Sequence, residues 1–384
     1  MKILLHSHTF WPNVGGIETA SHLLATGFLA AGHQVSVVTE TECGRKSDFA
    51  YPVFANLEAK KLSQLLAGHD LVHANGASMR LFAESRRLGR PFVWTHQGYQ
   101  LLCIDGLGWE QGSPAPLTPW KSIAHHCRLH GFRRAALGAA KLWLRRSIAC
   151  HVAANVAVSQ HVAKRQPLPR QCVIYNPVDT GRFSCGTLER ALENLHLAQD
   201  TFTFVGRLVS EKGVDDLIHA FASLVRTEKL AKPPTLKIIG DGPERPRLEE
   251  LAAGLGLSDY VRFAGQKTDG ALTDEIKKAG ICVLPSAFEE PMGIVAVELM
   301  AAGKPLIVSA TGALSEISGK ASLTYANSNR QELAAAMLRL WLDEQLKREL
   351  VSGALSRCSD FEASRQASAY LDLFLQIMAE KKRL

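Results

Sequence analysis

Two glutamates with seven residues between them, Glu290 and Glu298, are the side chains best placed to bind a polar ligand. Glu290 ends a loop, and a helix predicted to begin near Gly293 would expose unpaired backbone N–H groups beside it. Glu298 lies inside the otherwise apolar run 294–302, where an unpaired buried carboxylate is costly, and a solvated acidic turn does not account for that position. In this arrangement one carboxylate can hold sugar hydroxyls, the helix N-terminus can hold phosphate and the second carboxylate can hold a ribose.

A basic loop, residues 206–213, offers positive charge to the same kind of ligand. It follows a predicted strand and precedes a predicted helix. Arg207 presents a forked guanidinium and Lys212 a point charge, and both could reach a diphosphate. The alternative is two solvated basic side chains, but a position at the carboxyl edge of a sheet favours a phosphate site.

Two further segments lie in the first half of the chain. Gly15 and Gly16 follow the first predicted strand and open the first predicted helix, so backbone N–H groups there could approach an anion closely. His96 ends a predicted strand and is expected to face a cleft. A bare turn and a structural histidine are the alternatives, and neither segment decides between them alone.

These segments need a scaffold, and the hydrophobic pattern predicts alternating strands and helices. The first half has a loop at 12–16 and a helix at 18–31, with strands at 2–6, 35–38, 71–74, 91–95 and 152–158. The pattern restarts near residue 200, with strands at 201–205, 236–239, 261–263, 281–284 and 305–308. The helices between them are predicted at 214–225, 245–253, 269–279 and 294–302. Such alternation is typical of doubly wound α/β sheets.

The chain length predicts two domains. A composition with 46% hydrophobic and 21% charged residues supplies enough apolar mass for two cores in 384 residues. The boundary is expected near 176–179, which gives domains at 1–180 and 181–360 and a C-terminal helix at 361–384 that crosses back to the first domain. Two such sheets in series leave a cleft between their carboxyl ends, where ligands of α/β sheets usually bind.

The cysteines and the apolar runs predict a cytoplasmic protein, either free or resting on the inner face of the membrane. The eight cysteines include no Cys-x-x-Cys pair, so scattered reduced thiols are expected rather than a metal site or a disulfide scaffold. The N-terminal apolar run is too short for a signal peptide. No apolar run reaches the roughly 18 residues that a spanning helix needs.

The net charge of +7 is concentrated in one region. Residues 111–178 contain no Asp or Glu, although they contain ten Lys or Arg and five His. The resulting positive field favours an anionic partner, such as a phosphate-bearing substrate, a membrane surface or a nucleic acid. Nucleic-acid binding is disfavoured because no recognised nucleic-acid module frames the charge. The neighbouring segment 100–121 has little periodicity and is interpreted as an acceptor loop.

Within this region, residues 128–148 predict one basic amphipathic helix. Its apolar face would hold Leu129, Phe132, Ala136, Ala140, Trp143 and Leu144. Its basic face would hold Arg134, Lys141 and Arg145. The pattern is typical of a helix that lies on an anionic membrane, and a helix packed by its apolar side on the sheet is the alternative.

Taken together, these segments resemble the retaining nucleotide-sugar glycosyltransferases of family GT4, which include phosphatidylinositol mannosyltransferases and lipopolysaccharide and capsule transferases. The resemblance is strongest over residues 201–316. The matching motifs are Gly206-Arg207, Glu211-Lys212-Gly213, Gly240-Asp241-Gly242-Pro243-Glu244, the element from Glu290 to Glu298, and the interdomain segment 173–179. The resemblance implies an α/β GT-B fold, in which two Rossmann-like doubly wound domains face each other across a cleft. It assigns the acceptor to the first domain and the donor to the second.

The resemblance also implies a role for each matching residue. Catalytic roles fall to Arg207, Lys212, Glu290 and His96. The two cations hold the departing diphosphate, Glu290 binds donor-sugar hydroxyls and His96 lines the sugar pocket. Donor contacts fall to Gly15, Gly16, Phe263, Gly293, Ile294, Val295 and Glu298. One departure from the common Glu-Gly-Phe-Gly pattern is Pro291-Met292, where the proline removes a backbone N–H.

The implied reaction is transfer of a sugar, with retention, from a UDP-, GDP- or ADP-sugar to a hydroxyl of a lipid-linked or saccharide acceptor. Lipopolysaccharide, exopolysaccharide or glycolipid synthesis would use such a reaction. Breaking the sugar–diphosphate bond leaves negative charge on the phosphate, which Arg207, Lys212 and the helix N-terminus near Gly293 could stabilise. The sequence has no Asp-x-Asp motif for Mg²⁺, so we predict no metal and no other cofactor.

Two alternatives stay open. A nucleotide-sugar epimerase shares the two-domain architecture but would need further acid and base groups in the cleft. A catalytically silent nucleotide-sugar-binding subunit is disfavoured because Arg207, Lys212, Glu290 and Glu298 are all present. Acceptor-dependent release of the nucleotide diphosphate separates the transferase from both.

Overall fold

The protein forms two compact units in a computed structural model that describes residues 1–10, 15–41, 49–198, 200–227 and 232–381. Unit 1 is built from the described residues within 1–110, 115–178 and 361–381. Unit 2 is built from those within 111–114 and 179–360. The chain passes from unit 1 to unit 2 after Val178, and residues 12–14 of the predicted first loop lie outside the described residues.

The strands alternate with helices along the described chain. The strands are β1 Lys2–Ser7, β2 Gln34–Thr39, β3 Val53–Ala55, β4 Leu71–Asn75, β5 Phe92–His96, β6 Trp109–Glu110, β7 Ser113–Pro114, β8 Ala154–Ala157, β9 Gln171–Val173, β10 Thr201–Val205, β11 Thr235–Ile239, β12 Val261–Gly265, β13 Ile281–Leu284, β14 Leu306–Ser309 and β15 Ser322–Tyr325. Most of the predicted strands lie within two residues of these bounds, because continuous apolar runs mark strands buried on both faces.

The helices pack on the faces of the two sheets. They are α1 Gly16–Ala30, α2 Ala59–Ala67, α3 Met79–Arg87, α4 Pro119–His130, α5 Phe132–His151, α6 Gln160–Arg165, α7 Thr180–Phe183, α8 Leu188–Leu197, α9 Val214–Val225, α10 Arg245–Gly254, α11 Asp269–Lys277, α12 Ile294–Ala301, α13 Leu314–Ser318, α14 Arg330–Leu342, α15 Glu344–Cys358 and α16 Ala363–Lys381. Across the described residues, none of these helices has the length and apolar character required to cross a bilayer.

Unit 1 has a parallel sheet whose described strands run in the order β3-β2-β1-β4-β5-β8-β9. Strand β1 is central, with Ile3 paired to Val35 on one side and to Leu71 on the other. Helix α16 packs on α1 and buries Tyr370 and Phe374 in the same core. The carboxyl ends of β1, β4 and β5 therefore lie side by side, at the edge where α/β sheets usually bind ligands.

Unit 2 repeats the design with described strands in the order β12-β11-β10-β13-β14-β15. The chain runs outward from β10 to β12 and then returns to start the other half at β13, which pairs with β10. Phe202, Phe204 and Phe221 are fully buried beneath this sheet. The reversal of strand order between β10 and β13 is a topological switch point, so their loops meet at the carboxyl edge.

The prediction of a single helix over 128–148 is wrong. Helix α4 ends at His130, Gly131 takes a left-handed φ of 81°, and α5 begins at Phe132. A glycine in this conformation ends the first helix and lets the chain reverse. The buried side of α5 is made by Ala135, Leu142, Ile148 and Ala149. The side chains of the predicted apolar face are largely exposed to solvent rather than packed on the sheet, with Phe132 78% and Leu144 49% exposed.

Candidate active site

The candidate site lies at the carboxyl edge of the unit 2 sheet, where the loops after β10 and β13 are neighbours. The backbone N–H of Ala287 in the second loop donates to the carbonyl of Glu211 in the first at 2.9 Å. Gly213 closes the first loop with a φ of 64°, and a Cβ there would lie 2.2 Å from the carbonyl oxygen of Pro285. Only glycine fits this close approach, so the sequence Lys212-Gly213 holds the two loops together.

Lys212 and Glu290 form an ion pair at the centre of this edge. The Lys212 ammonium donates to Oε1 of Glu290, and the Ser286 hydroxyl donates to the same oxygen at 2.8 Å. The ammonium also lies 5.4 Å from the centroid of the Phe288 ring. Glu290 is buried, so its carboxylate needs these partners. Two residues that the sequence predicts to bind different parts of one ligand are thus bonded to each other.

The backbone around Glu290 is held from a third loop, the one that follows β14. The carbonyl of Glu290 accepts from the N–H of Ala313 at 2.8 Å, and Glu290 forms a β-bridge with Gly312. A Cβ at Gly312 would lie 2.2 Å from the Glu290 nitrogen. The Ser309 hydroxyl donates to the carbonyl of Ser286 at 2.7 Å. The backbone that carries the Glu290 carboxylate is therefore held by the loop after β14 at two places, Glu290 and Ser286.

Helix α12 begins directly after this loop with its N-terminal N–H groups uncapped by any side chain of the described residues. Gly293 occupies the N-cap with φ 82° and ψ 65°, and a Cβ there would meet a methyl carbon of Leu314 at 2.5 Å. Ile294 and Val295 are half-buried in the first turn. The first N–H groups of a helix carry partial positive charge, so this end of α12 can bind an anion.

Glu298 lies one turn into α12, where most of its side chain is buried although the residue keeps some exposed surface. This burial raises the pKa of Glu298 to about 7, against a smaller opposing effect of the Arg182 charge on the neighbouring helix α7. Glu298 has no hydrogen bond or ion pair with the residues that the structure describes. A carboxyl group left in this state gains most from a ligand that donates hydrogen bonds to it.

Arg207 lies on the loop after β10 but outside the buried pair. Its side chain is 75% exposed, and the nearest carboxylate, that of Glu211, is 3.9 Å away. The loop itself is held by the turn after β11: the N–H of Leu208 donates to the carbonyl of Asp241 at 2.9 Å, and that of Glu244 donates back at 3.0 Å. Arg207 therefore has a long, exposed side chain on a fixed backbone. Its guanidinium can reach an anion at this edge of the sheet.

Phe263 lies half-buried in β12 and packs on the unit 2 core. Its strand reaches the same carboxyl edge, where the Gly265 carbonyl accepts from the N–H of Gly240 at 3.0 Å. A cavity of about 730 Å³ also touches Phe263, but Thr201, Thr235 and other residues at the amino ends of the strands line it. That cavity lies at the opposite edge and shares neither Lys212 nor Glu290.

His96 ends β5 in unit 1 and is buried rather than open. Its Nε2 lies 2.9 Å from Oδ1 of Asn155. The Asn155 amide donates to the carbonyls of Ala149 and Pro169, both at 2.8 Å, so its oxygen is left to accept and Nε2 of His96 carries the proton. Burial lowers the pKa of His96 to about 4, with the Asn155 hydrogen bond opposing. His96 is a neutral, fixed side chain at physiological pH.

Gly15 and Gly16 stand at the start of α1 in unit 1. Gly15 is the extended N-cap residue, and no side chain of the described residues caps this helix. Glu18 in the first turn accepts from the Thr9 hydroxyl at 2.5 Å. A Cβ at Gly15 would lie 2.6 Å from the Glu18 carboxylate. The roles predicted for Gly15, Gly16 and His96 stay predictions.

A polar network that the sequence did not predict lies at the carboxyl ends of the central strands of unit 1. The amide of Gln97 donates to Oδ1 of Asn75 at 2.6 Å and to Oδ1 of Asn176 at 2.7 Å. Asn75 donates to the Ser21 hydroxyl at 2.8 Å, which donates to that of Ser7 at 2.9 Å. In the sequence, each of these residues looks like an ordinary polar residue at the end of a strand. Only the strand order of the folded sheet brings them together. Ser286 escaped prediction for the same reason.

Models of two protein families match the sequence. The model of Glycosyltransferase Family 4 matches residues 14–182, and that of Glycosyl transferases group 1 matches residues 189–357. The two matches together cover most of the chain, with one family model on each half.

The chain is similar to several known proteins. A glycogen synthase from Mycobacterium tuberculosis (strain CDC 1551 / Oshkosh) is 28% identical over 402 residues, covering 98% of this chain and 94% of the relative. The lipopolysaccharide core biosynthesis glycosyltransferase LpsD of Rhizobium meliloti (strain 1021) is 35% identical over 198 residues, 50% of this chain and 54% of the relative. Anabaena Alr3699/HepE in complex with UDP and glucose has a TM-score of 0.75 at 20% identity, covering 98% of this chain and 100% of that chain.

We expect Glu298→Gln to make unit 2 more stable at neutral pH. Because burial raises the pKa of Glu298 from 4.5 to about 7, the folded protein holds the proton more tightly. The stabilisation by that proton is complete below pH 4.5 and is lost as the pH rises to about 7. The loss in wild type between about pH 5 and about pH 8 should be about 2 kcal/mol, a value reduced for the residual solvent contact. Denaturant unfolding at both pH values measures it.

The matched control is Glu250→Gln, which removes one exposed carboxylate from helix α10 of the same unit. The stability difference between wild type and Glu298→Gln should change with pH, whereas that for Glu250→Gln should not. A pH-independent difference for Glu298→Gln would contradict the buried state of this carboxyl group.

Proposed function

The chain belongs to family 4 of the glycosyltransferases and has the GT-B fold, and from this premise we propose that it is a retaining, metal-independent hexosyltransferase. It is a nucleotide-sugar-dependent glycosyltransferase. The proposed reaction moves a hexosyl group from a UDP-, GDP- or ADP-sugar to a hydroxyl of a lipid-linked or saccharide acceptor. The observation that carries the proposal is the buried Lys212–Glu290 pair beside the uncapped N-terminus of α12.

In this proposal the Lys212–Glu290 pair is a preorganised binding site for the sugar donor. In the proposed complex the diphosphate takes hydrogen bonds from the Lys212 ammonium, and sugar hydroxyls donate to Glu290. Glu290 then exchanges one charged partner for neutral donors, while Ser286 keeps its carboxylate oriented. Because Glu290 and Ser286 stand on a backbone fixed from the β14 loop, little reorganisation is needed, which favours catalysis by preorganised charge.

The departing diphosphate gains negative charge as the sugar bond breaks. Three groups of unit 2 can stabilise it: the exposed Arg207, the Lys212 ammonium and the N–H groups at Gly293, Ile294 and Val295. Together they supply the electrostatic role that a divalent metal has in other transferases, which supports the metal-independent proposal. Retention follows in this proposal if the acceptor hydroxyl attacks on the face that the diphosphate leaves.

Glu298 is the proposed ribose ligand. Its carboxyl group has a raised pKa and no partner among the described residues, and two ribose hydroxyls would supply the hydrogen bonds that favour its charged form. The complex of Alr3699/HepE with UDP and glucose makes UDP the first nucleotide to test. Phe263 and its strand are the proposed contacts to the base.

We propose that the acceptor side works at an anionic membrane surface and serves lipopolysaccharide, exopolysaccharide or glycolipid synthesis. The helices α4 and α5 expose several large apolar side chains. These are Trp120, Phe132, Leu137, Trp143 and Leu144. The rings of Trp120 and Trp143 lie 5.4 Å apart. The same two helices carry exposed basic side chains at Lys121, Arg128, Arg133, Arg134 and Lys141. This combination of apolar and basic groups supports peripheral binding to anionic lipid.

Replacing Lys212 or Arg207 by alanine should slow transfer. Loss of one donor to the diphosphate costs about 3 kcal/mol of transition-state stabilisation, or roughly a hundredfold in kcat. The measurement is acceptor-dependent release of nucleotide diphosphate. Lys232→Ala is the control, because that lysine pairs with Asp200 at the amino edge of the sheet. Near-wild-type turnover in both Arg207→Ala and Lys212→Ala would contradict the assignment of the diphosphate site.

Replacing Trp120 and Phe132 by serine should weaken binding to anionic vesicles. Both side chains are more than two-thirds exposed, so the fold should tolerate the change. Co-sedimentation with phosphatidylglycerol-containing vesicles should fall in the variant, and wild-type binding should fall as salt is added. Leu197→Ser removes an 85% exposed leucine from unit 2 as the control. Equal binding of wild type to neutral and anionic vesicles counts against the proposal.

A further inference from the structure

A cluster of three histidines surrounds one glutamate in unit 1, away from every residue discussed above as a donor ligand. Glu110 ends β6, and His125, His126 and His130 lie on the last turns of α4. Oε1 of Glu110 lies 3.3 Å from Nδ1 of His126 and 2.6 Å from Nε2 of His130. Oε2 of Glu110 lies 3.4 Å from Nε2 of His125. Three potential metal ligands, Glu110, His126 and His130, thus converge on one point, and His125 lies beside the other oxygen of the same carboxylate.

The spacing of these atoms matches a zinc site. Zinc binds imidazole nitrogen and carboxylate oxygen at about 2.0–2.2 Å in tetrahedral geometry, which puts its ligand atoms about 3.3 Å apart. One ligand atom each from Glu110, His126 and His130 all lie within 4.8 Å of one another. The shorter 2.6 Å contact between Glu110 and His130 is a hydrogen bond that an ion between the two atoms would lengthen.

The helix supplies two of the ligands from one face. His126 and His130 are four residues apart, so their side chains lie above one another, with ring centroids 4.3 Å apart. This is the arrangement in which a helix presents two imidazoles to one metal. The partly buried carboxylate of Glu110 approaches from a separate segment of the chain. A metal held here would join the segment that contains β6 to helix α4.

Two nitrogens of the cluster are left without hydrogen bonds. Nε2 of His125 and Nδ1 of His126 are shielded from solvent, and neither has a hydrogen-bond partner. Each nitrogen lies 3.3 or 3.4 Å from an oxygen of Glu110 without making a hydrogen bond to it. Buried polar atoms are almost always partnered, so two orphans at one point indicate a missing ligand. Lone pairs of neutral imidazole are the ligands that zinc prefers.

We propose that Glu110, His126 and His130 bind one divalent transition-metal ion, best matched by Zn²⁺, with water completing the tetrahedral coordination. The ion has a structural role: it ties the segment around β6 to α4 within unit 1. This proposal does not rest on the proposed function, and it places no metal at Lys212, Glu290 or any other residue of the donor site.

Metal binding by the purified, tag-free protein tests the proposal. After removal of metal with a chelator, the full-length protein is titrated with Co²⁺ and then with Zn²⁺. Wild type should bind one Co²⁺ per chain with the visible absorption of a tetrahedral cobalt site, and Zn²⁺ should displace it. Glu110→Gln and His126→Ala should each weaken binding by at least about tenfold, since loss of even an outer-shell partner costs that much.

The control is His151→Ala, because His151 lies in unit 1 but bonds only the Ser147 carbonyl of its own helix. This variant should bind metal as wild type does. Thermal unfolding without metal shows whether each variant folds, and added Zn²⁺ should raise the melting temperature of wild type and His151→Ala but not of His126→Ala. Absence of Co²⁺ and Zn²⁺ binding by folded wild type, or equal losses in His126→Ala and His151→Ala, would overturn the proposal.

Discussion

The ion pair between Lys212 and Glu290 is the interaction on which the carboxyl edge of unit 2 depends. Glu290 is buried, and a buried carboxylate without a partner would cost several kcal/mol, so loss of Lys212 leaves a charge that the fold cannot easily keep. Glycine at 213 and 312 lets the three loops approach closely enough to place both residues. The same pair that satisfies the charge of Glu290 also keeps a cation at the place where a diphosphate is proposed to bind. Stability and ligand binding are therefore coupled at one point.

Glu298 gives the complementary case, a carboxyl group that the fold leaves without a partner. Its burial in an apolar helix disfavours the charged form, and a raised pKa is the result. In unit 2 the charge of Glu290 is therefore balanced by Lys212, whereas Glu298 has no such partner among the described residues. An apolar residue at 298 would avoid the free-energy cost of taking a carboxylate out of water. Because of that contrast, we propose that Glu298 binds a ligand.

Much of the fold could be predicted from the sequence, since buried parallel strands such as 201–205 and 281–284 appear as continuous apolar runs. The segment from Glu290 to Glu298 was also visible, because a carboxylate in an apolar helix conflicts with local preference. The break at Gly131 was missed because the hydrophobic period continues across it, and only the backbone angle shows the end of α4. Ser286, Asn155 and the histidines around Glu110 could not be predicted, because their partners come from distant parts of the chain.

We propose that unit 2 binds a nucleotide diphosphate between the loops after β10 and β13 and helix α12. The most direct test is a melting-temperature panel with UDP, GDP and ADP in buffer without added metal, for wild type, Glu298→Ala and Glu250→Ala. A ligand at a hundred times its dissociation constant stabilises the fold by about 2.7 kcal/mol, which is easily measured. We predict that one nucleotide raises the melting temperature of wild type and Glu250→Ala, and that Glu298→Ala loses the shift. No shift with any nucleotide, or an equal shift in Glu298→Ala, would contradict the account.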